Sequence, residues 1–100
     1  MTPNEAIDTV IKVTAEVVGV TEEEILSKSR RTDVVAARKV IVYRLRKDYD
    51  FGSTAIGQRL NRDRTSVLYL LKRGTAEKRY LQSLLRSVTE RLMQIKGYGE

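Results

Sequence analysis

The chain has no cysteine and no histidine. Disulfides are excluded, as are zinc fingers and any site that needs a thiolate or an imidazole. The lack of cysteine fits a cytosolic protein, which is the expected location. No apolar run approaches membrane-spanning length, and no signal-peptide pattern opens the chain. No Gly-x-x-x-x-Gly-Lys-Ser/Thr loop exists to cradle a nucleotide's phosphates. Glu22, Glu23 and Glu24 are adjacent on one helical turn and point in different directions, so they read as a helix start and not as a metal site. Without a convergent acid pair or an activated nucleophile, the expectation is a non-enzyme with no metal and no cofactor. Aromatic residues make up only 6% of the chain and few stand near its basic loop, which weighs against a single-strand RNA binder that stacks bases.

What is present is charge, unevenly spread. The net charge is +6 over 100 residues, a length suited to one domain with a single small core. Residues 1–27 sum to −5, residues 28–73 to +9 and the remainder to +2. A basic middle behind an acidic opening suits a binder of polyanions that is not a uniform, sequence-blind coat.

Helical periods run through the chain. Thr2-Pro3-Asn4-Glu5 is a capping box with proline at the first helical position. Ile7, Val10, Ile11, Thr14 and Val17 or Val18 follow at a 3.6 period, and Gly19 ends that helix. Thr21-Glu22-Glu23-Glu24 is a second box opening a short helix through Ile25 and Leu26. Lys28-Ser29-Arg30-Arg31-Thr32 is a basic loop, either a solvated connector or an arm for phosphates or a minor groove. From Asp33 to Lys47 the pattern predicts the central helix. Val34, Ala37, Ile41 and Leu45 form its deepest stripe, Val40, Val42 and Tyr43 broaden it, and Arg38, Lys39, Arg46 and Lys47 lie outside. Residues 48–52 read as a turn, with Tyr49 or Phe51 folding back onto the core.

Ser53 to Gly74 is the stretch that organises the rest. Ser53 is expected to cap a helix that carries Ile56 and Leu60 inward, with Gly57 leaving room for a second helix. Asn61 suits a left-handed turn, and Asp63 caps the second helix. Val67, Leu70 and Leu71 anchor that helix, and Gly74 stops it behind Lys72 and Arg73. Its first turn is left free to project Arg62, Arg64, Thr65 and Ser66, as a recognition helix does. On spacing alone a hairpin with a solvated polar turn fits equally well. Thr75 opens a last helix to about Ile95, whose face of Tyr80 or Leu81, Leu84, Leu85, Val88, Leu92 and Ile95 either closes the core or supports a dimer. Residues 97–100 are expected to fray. The expected fold is all-α: one domain over 1–100, a bundle of about six helices.

Leu26-Ser27-Lys28-Ser29-Arg30-Arg31, Ile56-Gly57 and Arg62-Asp63-Arg64-Thr65-Ser66-Val67 occur in the order seen in a known family. Over about residues 4–74 the chain resembles the C-terminal DNA-binding domain of the bacterial replication initiator DnaA, with 75–96 as a supporting helix. The resemblance implies duplex DNA as partner. It implies that Arg62, Asp63, Arg64, Thr65 and Ser66 reach base edges and phosphates in the major groove. It implies that Arg30, with Arg31 beside it, enters the adjacent minor groove, and that Lys28 serves phosphates. Arg38, Ser53 and Tyr69 complete the expected phosphate contacts. Arg64 stands where the family has histidine, a permanent cation for a neutral ring. Ser66 replaces a threonine and lacks its methyl, and the turn before the signature is one residue shorter than the usual Gly-Gly form.

The leading expectation is a sequence-specific duplex DNA binder acting in replication or transcription control. The alternative is a helical module that binds an initiator, a polymerase or another acidic protein. Neither a membrane nor a small-molecule substrate is expected. The protein is expected to be a monomer, with weak or DNA-dependent self-association left open. A free-standing relative without the ATPase, such as a phage or plasmid regulator, is favoured over an excised domain by the capped start after Met1.

Overall fold

The computed structural model describes residues 1–72 and 78–99, with the backbone alone at 71, 72 and 78. Among these residues every regular element is a helix: α1 (Pro3–Val18), α2 (Glu22–Leu26), α3 (Thr32–Tyr49), α4 (Ser53–Leu60), α5 (Arg64–Lys72) and α6 (Lys78–Met93). The all-α expectation is met. The expected roles of Lys72, Arg73, Gly74 and Thr75 at the ends of α5 and α6, and the side chain of Leu71, lie outside the described residues.

Helix starts follow the local chemistry. Thr2 Oγ1 accepts from the Glu5 N–H at 3.2 Å, and Glu5 Oε1 accepts from the Thr2 N–H at 3.0 Å. Thr21 and Glu24 repeat the pattern at 3.0 and 2.9 Å. These bonds to backbone N–H groups hold the Glu5 and Glu24 carboxyls below their usual range. Gly19 closes α1 at φ 86°, a left-handed conformation that glycine adopts without a side-chain clash.

The core sits around α3. Val34, Ala36, Ala37, Ile41, Val42 and Leu45 are all fully buried, and α1, α2, α4, α5 and α6 pack against this helix. A hydrophobic stripe alone did not anticipate how closely α3 is enclosed. Arg38, expected outside, is only 3% exposed, and Arg44 is 6% exposed. Tyr43, expected to broaden the apolar face, is 42% exposed and has the Lys47 ammonium 5.7 Å from its ring centre. Successive helical positions differ by about 100°. The sector through 34, 37, 38, 41, 44 and 45 is buried, whereas positions 36 and 43 share the opposite face, which is covered at Ala36 and open at Tyr43.

α3 also outruns its expected limits. It begins at Thr32 and continues to Tyr49, where Asp50 turns left-handed at φ 54°. Asp48 therefore sits one helical turn beyond Arg44, and Arg44 Nε donates to Asp48 Oδ2 at 3.0 Å. The Tyr98 hydroxyl donates to the same carboxylate oxygen. Tyr98 is 7% exposed, and its ring meets Tyr49 edge-on at 5.3 Å. Of the end expected to fray, residues 97–99 are described, and Tyr98 among them is packed.

α6 lies against α1 and touches α3. Leu81, Val88 and Leu92 are buried, with Leu84, Leu85 and Ile95 partly buried, whereas Tyr80 is exposed. Of the two roles open to this face, core closure is the one observed. Burying side chains such as Val88 and Leu92 contributes roughly 1.5–3 kcal/mol each. Acids of the opening segment meet bases from later elements: Arg59 donates to Asp8, and also to the neutral Asn4 amide, and Arg91 donates to Glu16.

Candidate nucleic-acid interface

α4 and α5 form a tight pair. Asn61 takes the left-handed conformation at φ 60°, as expected, and the Arg62 N–H donates to the Gly57 carbonyl at 2.7 Å. Gly57 is required, but chiefly by the turn. A Cβ there would lie 2.6 Å from the Arg62 carbonyl oxygen and 3.3 Å from Val67 Cγ2. Ser53 does not cap α4. Gly52 holds that position without a side-chain bond, and Ser53 is buried at 7% exposure.

Asp63 caps α5 as the sequence suggests, accepting from the Ser66 N–H at 2.6 Å. That bond, helped by nearby Arg62, holds the Asp63 carboxyl below its usual range. Asp63 therefore stays ionised at neutral pH, and its first task is the helix start. Val67 is fully buried and fixes α5 to the core. The first turn is then free: Arg64 and Thr65 are exposed, and Tyr69 is 54% exposed one turn further on.

The basic loop meets this helix across a groove of about 430 Å³. Lys28 and Arg30 line it from the loop, Arg38 from α3, and Arg62, Asp63, Thr65, Ser66, Tyr69 and Leu70 from the turn and α5. Four cations thus face one carboxylate in a single concavity. The side chains of Lys28, Arg30, Arg64 and Thr65 make no hydrogen bond or ion pair with described residues. Arg31 differs. Its guanidinium pairs with Glu24 at 2.7 Å and with Asp33 at 3.2 Å, so it is held along the protein surface.

Arg38 is the largest departure from the sequence reading. Its Nε donates to the Ile25 carbonyl at 2.8 Å and its Nη1 to Ser29 at 2.6 Å. Its Nη2 donates to Glu24 at 3.1 Å and to Ser27 at 2.6 Å. Burial, and then the positive charge of Arg62, push its pKa down to about 10, which leaves it charged at neutral pH. Arg62 also reaches the loop, with Nη2 donating to the Ser27 carbonyl. Sequence reasoning missed both links, since the acceptors are backbone carbonyls and carry no residue-type signal. Expected site residues are thereby brought together at one groove, with Arg64 beside it, whereas Ser53 and Arg31 are not among the lining residues.

A short helix, a three-residue turn entered through a left-handed asparagine, and a second helix anchored behind a polar first turn define a helix-turn-helix domain. The chain belongs to the bacterial dnaA protein helix-turn-helix family, which it matches over residues 7–73. It is similar to the chromosomal replication initiator protein DnaA of Thermotoga petrophila, 34% identical over 67 residues, covering 67% of this chain and 15% of that protein. It is similar also to the DnaA of a Picosynechococcus species, 32% identical over 63 residues, covering 62% of this chain and 14% of that protein. The chain thus spans about one seventh of the length of these curated relatives.

Proposed function

We propose that the protein binds double-stranded DNA in a sequence-dependent way and acts by occupying sites in replication or transcription control. The observation that carries this reading is the shared groove. Free cations on a short loop and the polar first turn of α5 face the same space, at the positive end of that helix. In this reading α5 enters the major groove, Thr65, Ser66 and Arg64 meet base edges, and Arg62 and Tyr69 meet the groove wall. Lys28 and Arg30 follow the adjacent phosphates or minor groove. The relatives are replication initiators by name, which supports a duplex partner and a replication context. This chain's own contribution is positioning and charge, with no covalent step.

The test is a duplex titration across salt concentrations, followed by selection of bound sequences from a random pool. Arg38 and Arg62 are engaged with carbonyls and Arg31 with carboxylates, which leaves Lys28, Arg30 and Arg64 as the cations of this surface to displace counterions. Three neutralised phosphates give a slope of about −2.7 for log K against log salt. A flat response, or a pool that returns no preferred sequence, would reject this reading and move an acidic protein partner to first place.

A further inference from the structure

We infer that Arg38 and Arg62 are positioning residues that lock the basic loop to the turn of the helix-turn-helix, so that loop and α5 meet a duplex as one rigid reader with fixed spacing. This rests on the duplex reading above.

The loop between α2 and α3 has no large apolar side chain to anchor it. Such a segment ordinarily leaves its carbonyls to water and stays mobile. Here Arg38 donates to four carbonyls spread from Glu24 to Ser29. A guanidinium suits the task because its donors form a fixed planar fork. The loop's own hydroxyls tighten it further. Ser27 Oγ donates to the Glu24 carbonyl at 2.6 Å and accepts from the Ser29 N–H at 3.1 Å. Arg62 then arrives from the other side, 35 residues along the chain, on the Ser27 carbonyl that Arg38 already holds. A carbonyl oxygen has two lone pairs, and here two arginines draw on them. Ser27 thereby joins α3, the loop and the α4–α5 turn at one atom.

The division of labour around this atom is the second observation. Arg38 is buried and Arg62 half-buried, whereas Lys28 and Arg30 are more open, with unengaged side chains. The loop's backbone is fixed while its cations point free, which is the arrangement of an arm and not of a solvated connector. An arm held at a set distance from α5 can discriminate the spacing between the sequence α5 reads and the flank the arm reads.

The experiment is a double-mutant cycle of Arg62→Ala and Arg30→Ala on one selected duplex, with amide exchange of the free protein beside it. Arg30→Ala alone should weaken binding roughly tenfold. In the Arg62→Ala background the same change should cost under about threefold, because a loosened loop no longer delivers Arg30. Equal costs in both backgrounds would overturn the inference and make Arg62 an independent contact. In the free protein, Arg38→Lys should raise exchange at the Ser29 and Arg31 amides, which donate to Ser27 Oγ and Ser29 Oγ, by about tenfold or more, with α5 still protected. Should Arg38→Lys unfold the protein, Arg62→Ala carries the exchange comparison, with the same rise expected. Unchanged loop exchange would also overturn the inference. Exchange needs no DNA, so the two failures are distinct: a wild type that binds no duplex rejects the proposed function, whereas a loop whose exchange does not rise rejects the lock.

Discussion

Replacing Gly57 by alanine tests the turn geometry on which the reading helix depends. At an open helical position this change stabilises, by roughly 0.5–1 kcal/mol, because alanine loses less backbone entropy. At 57 the new methyl would lie 2.6 Å from the Arg62 carbonyl oxygen. That carbonyl belongs to backbone whose own N–H is tied to Gly57 at 2.7 Å, so it cannot swing away as a flexible side chain would. The next neighbour, Val67 Cγ2 at 3.3 Å, belongs to a fully buried side chain. Overpacking of this kind costs roughly 1–3 kcal/mol, and here the turn must also open. We expect a net loss of about 1–2 kcal/mol. For a chain of this size that lowers the melting temperature by roughly 5–15 °C. Thermal unfolding followed by far-ultraviolet circular dichroism measures it. Duplex affinity, taken well below the melting range, should fall as well, because relief of the clash moves the start of α5. A melting temperature that holds or rises would refute the reasoning, since it would mean that the α4–α5 turn leaves room at residue 57.

Thr14 is fully buried and its hydroxyl has no partner among the described residues, so Thr14→Val should stabilise the fold by about 1 kcal/mol; denaturant titration checks this, and a loss would point to an unseen bond. Thr65→Ala should leave the melting temperature within about 2 °C of wild type, since Thr65 is exposed, yet relax base preference at one position in a random-duplex selection. Arg64→His should weaken overall binding and shift preference, read in the same selection; preferences identical to wild type for both variants would remove α5 as the reader. The carboxyls of Glu5, Glu24, Asp33 and Asp63 are all held below their usual values by hydrogen bonds to N–H groups of the backbone or of Arg31. Their stabilising contribution is present above the unfolded values near pH 4 and is lost as pH falls through the folded ones. The melting temperature should therefore be flat from about pH 7 to 5 and decline below about pH 4; a decline that begins near pH 6 would contradict this assignment.

The sequence made the helix ends more legible than the helix faces. Thr2, Thr21, Asp63, Gly19 and Asn61 each act through bonds or dihedrals within a few residues, and such local chemistry is visible in the chain itself. Ser53 misled because Gly52 before it takes the extended conformation of a cap, which moves serine into the first helical position. Faces depend on what arrives from elsewhere. Arg38 carries a charge and sits beside a lysine, the signature of a solvated position, but its acceptors are main-chain oxygens 9 to 14 residues away. The Arg44–Asp48 pair was hidden by reading residues 48–52 as a turn, and its third member, Tyr98, comes 50 residues later. For the interface, residue types and order located the groove. Which of its cations are free and which hold the scaffold followed only from their partners.

The region shared with the bacterial relatives stops at residue 73, but the apolar interior does not. Leu81, Val88 and Leu92 lie within the same hydrophobic cluster as Val10 and Ile41. Close to the described end, Tyr98 grips the ionic pair at the foot of α3, and the Gly99 N–H donates to the Tyr49 hydroxyl at 2.6 Å. A fragment trimmed to the homologous stretch would shed a wall of its own interior and bare a greasy flank of α1. Whoever grafts this reading head onto another protein has to carry the last helix and its tyrosine hook along with it.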